Sequence, residues 1–246
     1  MTRIGLTLPS FVADPDIPIV VARAAEESEL DGVFVYDHLW RGDPPNRRPA
    51  LECLALLGAV AAETSRIHIG TLVARATLRP PATLANGLVS ANRISNGRLI
   101  AGIGSGDSHS RAENEAFGLP FGTMDERLGA LRDSVRACVH NGFPVWVGGL
   151  SRFVREIVAE ANAWNGWGIE PDVFASEIEL VREVAPDAAI TWGGLARPIE
   201  EGADALAERV RPYCDLGASW IIIGPIDSSN PDNTPVLREV KARLGE

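Results

Sequence analysis

One pattern recurs eight times along the chain: a short apolar run, often β-branched, followed by a longer segment with helical caps. Its clearest stretch runs from Arg66 to Asp107, RIHIGTLVARATLRPPATLANGLVSANRISNGRLIAGIGSGD. Ile67 to Val73 has the continuous apolar character of a strand buried on both faces. Arg79-Pro80-Pro81 breaks it, and Pro81 suits a first helical turn, where a missing N–H costs nothing. Leu84, Leu88 and Ile94 then suit one helical face, and Asn96-Gly97 supplies a left-handed stop. RLIAGIGSGD makes the next strand, with Gly102, Gly104 and Gly106 toward its end. Glycine at that spacing weakens a strand, so something is expected to approach the backbone closely there.

The rest of the chain keeps the alternation. Arg3 to Leu8 reads as strand one. Asp14-Pro15 opens a helix to about Glu29, which Asp31-Gly32 stops. VFVYDHLW is strand two, ending in Asp37-His38. Arg41 to Pro49 is a loop, and Leu51 to Ser65 a helix apolar nearly all round. Ser108 to Gly122 reads as an irregular polar connection. Thr123 to Glu126 is a capping box, opening a helix with Leu128, Leu131, Val135 and Cys138 inward. Pro144 to Gly149 is strand five, and Ser151 is expected to cap a helix to about Asn162. Strands six to eight are Trp164 to Ile169, AAITWGGL, and Trp220 to Ile226. Helices are expected from Pro171 to Val184, from Ile199 to Arg211, and from Thr234-Pro235 onward. Eight strand–helix units in 246 residues, with no composition break, predict an α/β fold: one (β/α)8 TIM-barrel domain over residues 1–246.

Composition narrows the function. The chain is 46% hydrophobic and carries a formal net charge of −10. That charge disfavours nucleic acid and anionic membrane as partners. No apolar run is long enough for a membrane span, and the N-terminus goes directly into a strand, so a cytoplasmic protein is expected. Cys53, Cys138 and Cys214 are far apart and read as small apolar residues in a reducing compartment. No Cys or His pair has metal-ligand spacing, so no metal site is expected.

In a TIM barrel the chemistry gathers where the strands end. Strand two ends in Asp37-His38, where an imidazole could exchange a proton near neutral pH. Strand three ends at Leu72-Val73 and runs on to Arg75 and Arg79. Strand four ends in Ser105-Gly106-Asp107, and Asp107 is a second candidate acid. Strand five ends in Gly148-Gly149-Leu150-Ser151. Glycines at these ends would let a flat or phosphate-bearing ligand reach backbone N–H groups. Each residue also has a plainer reading. Asp37 could cap a turn, His38 could fill a gap, and Arg75 and Arg79 could be solvated or neutralise a phosphate. Trp146, Trp164, Trp167, Trp192 and Trp220 are expected in the barrel core. His68 and His140 are expected at element margins, and His109 in an exposed loop. The glycine pattern is not the dinucleotide fingerprint, because Gly-x-Gly-x-x-Gly is absent.

Taken in order, Asp37-His38, IHIGTLV…RPPATLA, SNGRLIAGIGSGD, VWVGG and WNGWG resemble the bacterial luciferase-like family. The match is collinear from Arg3 to about Gly168 and resumes near GASWIIIGPIDSS. The resemblance implies a TIM-barrel oxidoreductase using the deazaflavin coenzyme F420, with FMN as the alternative. It implies Asp37 and His38 beside the cofactor ring and a non-prolyl cis peptide at Leu72-Val73. It places Ser105 and Gly106 near the cofactor, Gly148, Gly149, Leu150 and Ser151 near its phosphate tail, and Asp107 as a proton donor. Implied partners are a small-molecule substrate, a flavin or F420 reductase, and a second copy of the chain in a homodimer. The sequence also departs from the family pattern. Glu170 stands near where sugar-phosphate enzymes of the family carry a basic residue, and Asn92 replaces a common aspartate. The chain is shorter than most relatives after strand four and around strand seven. A barrel that keeps the pocket and has lost catalysis is a further reading. A basic rim for an anionic cofactor would come from Arg75, Arg79, Arg152 and Arg197.

Overall fold

The computed structural model describes residues 2–41, 48–107 and 110–245. The chain runs β1 (Arg3–Thr7), α1 (Asp16–Glu27), β2 (Gly32–Val35), β3 (Trp40–Arg41), β4 (Arg48–Pro49) and α2 (Cys53–Glu63). It continues β5 (His68–Arg75), α3 (Pro81–Ile94), β6 (Leu99–Gly104), α4 (Ser110–Ala116) and α5 (Met124–Cys138). Then follow β7 (Val145–Gly148), α6 (Ser151–Val158), β8 (Ala163–Trp167) and α7 (Pro171–Arg182). The last elements are β9 (Ala189–Ala196), α8 (Pro198–Asp215), β10 (Ala218–Pro225) and α9 (Asn233–Leu244). Eight parallel strands close into a barrel in the order β1-β10-β9-β8-β7-β6-β5-β2. Among the described residues no helix is long and apolar enough to cross a membrane.

Two apolar layers hold this architecture. The larger lies between the strands and the surrounding helices, from Ile4 and Leu6 through Leu84 and Leu88 to Leu237 and Val240. The smaller fills the barrel with Phe34, Leu72, Ile100, Trp146, Ala163, Trp220 and Ile222. Phe34, Trp146 and Trp220 form a triangle, each pair of centroids 5.6–5.8 Å apart. Ring pairs at such spacing contribute about 0.5–1.5 kcal/mol each beyond the area they bury. The backbone makes room for them: a Cβ at Gly70 would lie 2.8 Å from the Phe34 ring. The lower barrel is therefore a packed plug, and the open part of its interior lies toward the strands' C-terminal ends.

Several local features differ from the sequence expectations. The Ser108–Gly122 connection holds a helix, α4, whose polar SRAENEA sequence has no apolar face to reveal it. Leu150, not Ser151, is the cap residue of α6. The Ser151 hydroxyl is buried and donates to Glu177 Oε2 at 2.6 Å. Ile94 is 51% exposed rather than inward. The expected Arg41–Pro49 loop begins and ends in a two-residue antiparallel pair, Trp40–Arg41 with Arg48–Pro49. Residues 42–47 and His109 lie outside the described residues. The capping box is present, with the Thr123 N–H donating to Glu126 Oε2 at 2.7 Å and the Glu126 N–H to Thr123 Oγ1 at 3.3 Å. Of the cysteines, Cys53 and Cys138 are buried and Cys214 is half-buried, with no disulfide. Burial pushes all three thiols up, that of Cys138 to about 11.

Candidate active site

A cavity of about 320 Å³ opens at the C-terminal end of the barrel. That size falls within the range of small-molecule sites, about 300–1,000 Å³. Asp37, His38, Leu72, Val73, Ser105, Gly106, Asp107, Gly148 and Gly149 all line it. Leu150 and Ser151 do not line it. Trp167, expected in the core, is 37% exposed and forms part of the wall with Tyr36. The other four core tryptophans named above are at most 4% exposed.

The floor is built around Val73. The Leu72–Val73 peptide is cis, and the β5–β6 register shifts between Thr71 and Ala74. A Cβ on Gly104 would lie 2.5 Å from Val73 Cγ2, and one on Gly148 would lie 2.8 Å from Val73 Cγ1. Gly102 is equally constrained, its Cβ position lying 2.2 Å from the Thr71 carbonyl oxygen. These glycines therefore answer to the protein's own β5 rather than directly to a ligand. Gly106 and Gly149 differ: at φ 75° and 135° they occupy backbone conformations that glycine tolerates.

Asp37 is 2% exposed and its oxygens are spent inside the protein. Arg79 donates to both carboxylate oxygens, at 2.6 and 3.1 Å, and the Arg75 N–H donates to Oδ2 at 2.8 Å. Arg79 also reaches Glu52. Burial works against the Arg79 charge, but Asp37 and Glu52 outweigh it and raise its pKa. Arg75 is 3% exposed and donates to the Asp37 carbonyl (2.6 Å), Asn114 Oδ1 (3.3 Å) and Glu113 Oε2 (3.0 Å). Both arginines are thus internal braces, not a basic rim. Arg197, at the start of α8, pairs with Glu200.

Nothing in the polar sequence around Glu113 marks it as a site residue. It is 5% exposed and sits on α4, aimed back at strand two's exit. Its Oε1 lies 2.8 Å from His38 Nδ1, and its Oε2 accepts the Leu39 N–H at 2.7 Å as well as Arg75. Burial opposes its ionisation, but the bonds to His38 and Leu39 and the Arg75 charge outweigh that and hold its carboxyl below the usual range. An ionised carboxylate only accepts, so Nδ1 of His38 carries the hydrogen. In the neutral ring Nε2 is then the acceptor, the arrangement that makes an oriented general base. Phe11 and Tyr36 flank the imidazole, at 6.1 and 6.5 Å between centroids. Asp107 lines the cavity and accepts the Ser110 N–H and hydroxyl on Oδ1, both at 3.0 Å.

No group of His, Cys, Asp and Glu among the described residues is arranged to hold a metal. The site offers an apolar floor, glycine-rich backbone on one side, an oriented histidine and an aromatic wall. It can accept a flat ring and exchange a proton above it.

Known proteins resemble this chain in sequence or in fold. An F420-dependent glucose-6-phosphate dehydrogenase of Nakamurella multipartita is 36% identical over 143 residues, which is 57% of this chain and 38% of that protein. The chain thus spans about two fifths of the length of this curated relative. A solved F420-dependent secondary alcohol dehydrogenase, bound to an F420–acetone adduct, superposes with a TM-score of 0.80 at 14% identity, over 97% of this chain and 98% of its own. The oxygenating constituent of 3,6-diketocamphane monooxygenase from Pseudomonas putida, solved with FMN, gives 0.75 at 13% identity, over 99% and 97%. The family model for luciferase-like monooxygenases matches residues 14–141, just over half of the chain. With the closed barrel and the cavity at its strand ends, that match identifies the chain as a member of the luciferase-like monooxygenase family.

Proposed function

We propose that this protein is an oxidoreductase that moves a hydride between coenzyme F420 and a small organic substrate, with His38 handling the proton. The supporting observation is the 2.8 Å contact from Glu113 to His38 Nδ1, which leaves Nε2 to the cavity that His38 lines. The name of the curated relative points to the same coenzyme.

The residues present fit a tricyclic ring with an anionic tail. Val73, with Gly104 and Gly148 closed against it, gives an apolar floor. Leu72, Ser105 and Gly106 would border the ring. Gly148 and Gly149, with the exposed Arg152 beyond them, would take the tail. When bound, a deazaflavin supplies a ring carbon that accepts or returns hydride, and the protein supplies orientation and shelter from water. Asp37, clamped by Arg79, fixes the strand-two exit on which His38 stands. Nε2 takes the hydroxyl proton as an alcohol is oxidised and returns it to a carbonyl oxygen in reverse. Tyr36 and Trp167 wall the substrate side. Asp107 is the second acid within the cavity.

An FMN enzyme would use the same floor, and the FMN-bound neighbour favours keeping that reading. It would need a reductase partner and would show oxygen uptake with supplied reduced flavin. A homodimer belongs to the same proposal and is read by sedimentation. The test is single-turnover reduction of bound F420 by a series of alcohols, followed by loss of its visible absorbance. His38→Ala should bind the coenzyme normally and react about 10²–10⁴-fold more slowly. An unchanged rate with tight binding would remove His38 from the chemistry.

A further inference from the structure

A second cavity, of about 420 Å³, lies on the outer side of the β5 exit, between residues 76–81 and the segment from Leu119 to Ala130. Its surface is mostly apolar, from Leu78, Pro80, Pro81, Leu119, Pro120 and Phe121. Arg127 lines it and is 7% exposed. Buried arginines are ordinarily paired with a carboxylate, and Arg127 has none among the described residues. Its guanidinium stacks on Phe121 at 4.2 Å. Nη1 reaches the Gly122 carbonyl and Nη2 the Met124 sulfur, each at 3.4 Å. The first contact lies beyond the 2.7–3.2 Å of a good N–H···O bond, the thioether is a weak acceptor, and Nε has no partner among the described residues.

Three further features sharpen the picture. The Thr77 hydroxyl, from the same lining, is also buried without a partner among the described residues. The other charged lining groups are occupied: Arg79 by Asp37 and Glu52, and Glu126 by the capping box. The first turn of α3 opens on this wall at Pro80-Pro81 and has no side-chain cap, so its positive dipole end is uncompensated. An unsatisfied buried cation, an orphan hydroxyl and an uncapped helix start around an apolar cavity call for one kind of occupant.

We propose that this cavity binds a carboxylate carried on an apolar body. The carboxylate displaces the Met124 sulfur and takes the Arg127 guanidinium side-on, through Nη2 and the unpartnered Nε, a bidentate pairing of the kind guanidinium groups favour. Thr77 adds a donor, and the proline and phenylalanine side chains cover the apolar part. The site is separate from the barrel-mouth cavity, and the inference does not depend on which flavin the barrel mouth takes.

The test uses the whole chain with benzoate as probe and benzamide as its uncharged match, measured by calorimetry and thermal melting. Benzoate should bind and raise Tm, with benzamide at least about tenfold weaker. Arg127→Met should abolish benzoate binding and, without ligand, raise Tm by about 2–4 °C, because an apolar side chain replaces an uncompensated buried charge. Thr77→Val should weaken benzoate severalfold. Equal binding of benzoate and benzamide would overturn the proposal, as would benzoate binding that survives Arg127→Met. A fall in Tm for Arg127→Met with no benzoate binding would make the arginine structural and overturn it too. So would a dimer that Arg127→Met dissociates in a protein that ignores benzoate, since a second copy would then own the groove.

Discussion

Nδ1 of His38 and Oε1 of Glu113 lie 2.8 Å apart across a sequence separation of 75 residues. This contact fixes both the tautomer and the plane of the imidazole. Replacing Glu113 by Gln keeps the shape but lets the amide donate or accept, so the tautomer is no longer dictated. Histidine-selective ¹⁵N NMR should show Nδ1–H at His38 in the wild type and a shift toward Nε2–H in Glu113→Gln. Turnover should fall, by at most about the 10²–10⁴-fold that general acid–base catalysis contributes, with coenzyme affinity little changed. Identical tautomers in the two proteins would show that Glu113 does not orient the ring.

Glu113 also links stability to pH. Its carboxyl titrates lower in the folded protein than in the unfolded chain. Such a group stabilises the fold above its unfolded value, near 4.3, and loses that contribution as pH falls through the folded value. Glu113→Gln leaves Arg75 buried with one acceptor fewer and should cost about 3 kcal/mol at neutral pH. Urea unfolding should show that gap at pH 7 and a smaller one below about pH 4. A gap that stays constant across this range would contradict the assignment.

Val73 and the glycines against it form one packing unit. Gly148→Ala would put a methyl group 2.8 Å from Val73 Cγ1 and push the valine toward the cavity. Overpacking of this kind costs about 1–3 kcal/mol. Coenzyme affinity should drop with it. Val73→Ala in the same chain should restore part of both losses, because contacting residues couple. A thermal melt and a binding titration on the four proteins measure it.

The Glu26 carboxylate is a structural counterpart away from the chemistry. It accepts the N–H groups of Ser65, Arg66 and Ile67, at 2.9, 2.6 and 3.0 Å, and so fixes the approach to β5. Burial opposes its charge, yet these bonds hold its pKa low. Glu26→Ala should destabilise by about 1–3 kcal/mol without altering coenzyme affinity, as read by denaturation and titration side by side.

The barrel was legible because each parallel strand is a continuous apolar run and each helix carries a stop or a start, as at Asn96-Gly97 and Thr123–Glu126. The residues at the strand ends were legible for the same reason: topology alone brings Asp37, His38, Val73, Gly106 and Gly148 to one mouth. Their partners were not. Glu113 lies in a polar helix with no periodicity to mark it, and its role exists only through a contact 75 residues away. Asp37 looks reactive in sequence because nothing local shows that Arg79 clamps it. Trp167 ends its strand at the rim, where a side chain can leave the core, and periodicity cannot separate it from Trp164 three residues earlier. The glycines of β6 and β7 were legible as places of close approach, while the approaching groups, Thr71 and Val73, emerge only from strand register.

The most direct measurement is a titration of the purified protein with coenzyme F420 and with FMN, each oxidised and reduced, followed by tryptophan fluorescence. Trp167 in the cavity wall supplies the signal. Saturable quenching by F420, much tighter than by either form of FMN and reduced in Gly148→Ala, is expected. Preference for reduced FMN, or binding of neither, would contradict the deazaflavin assignment.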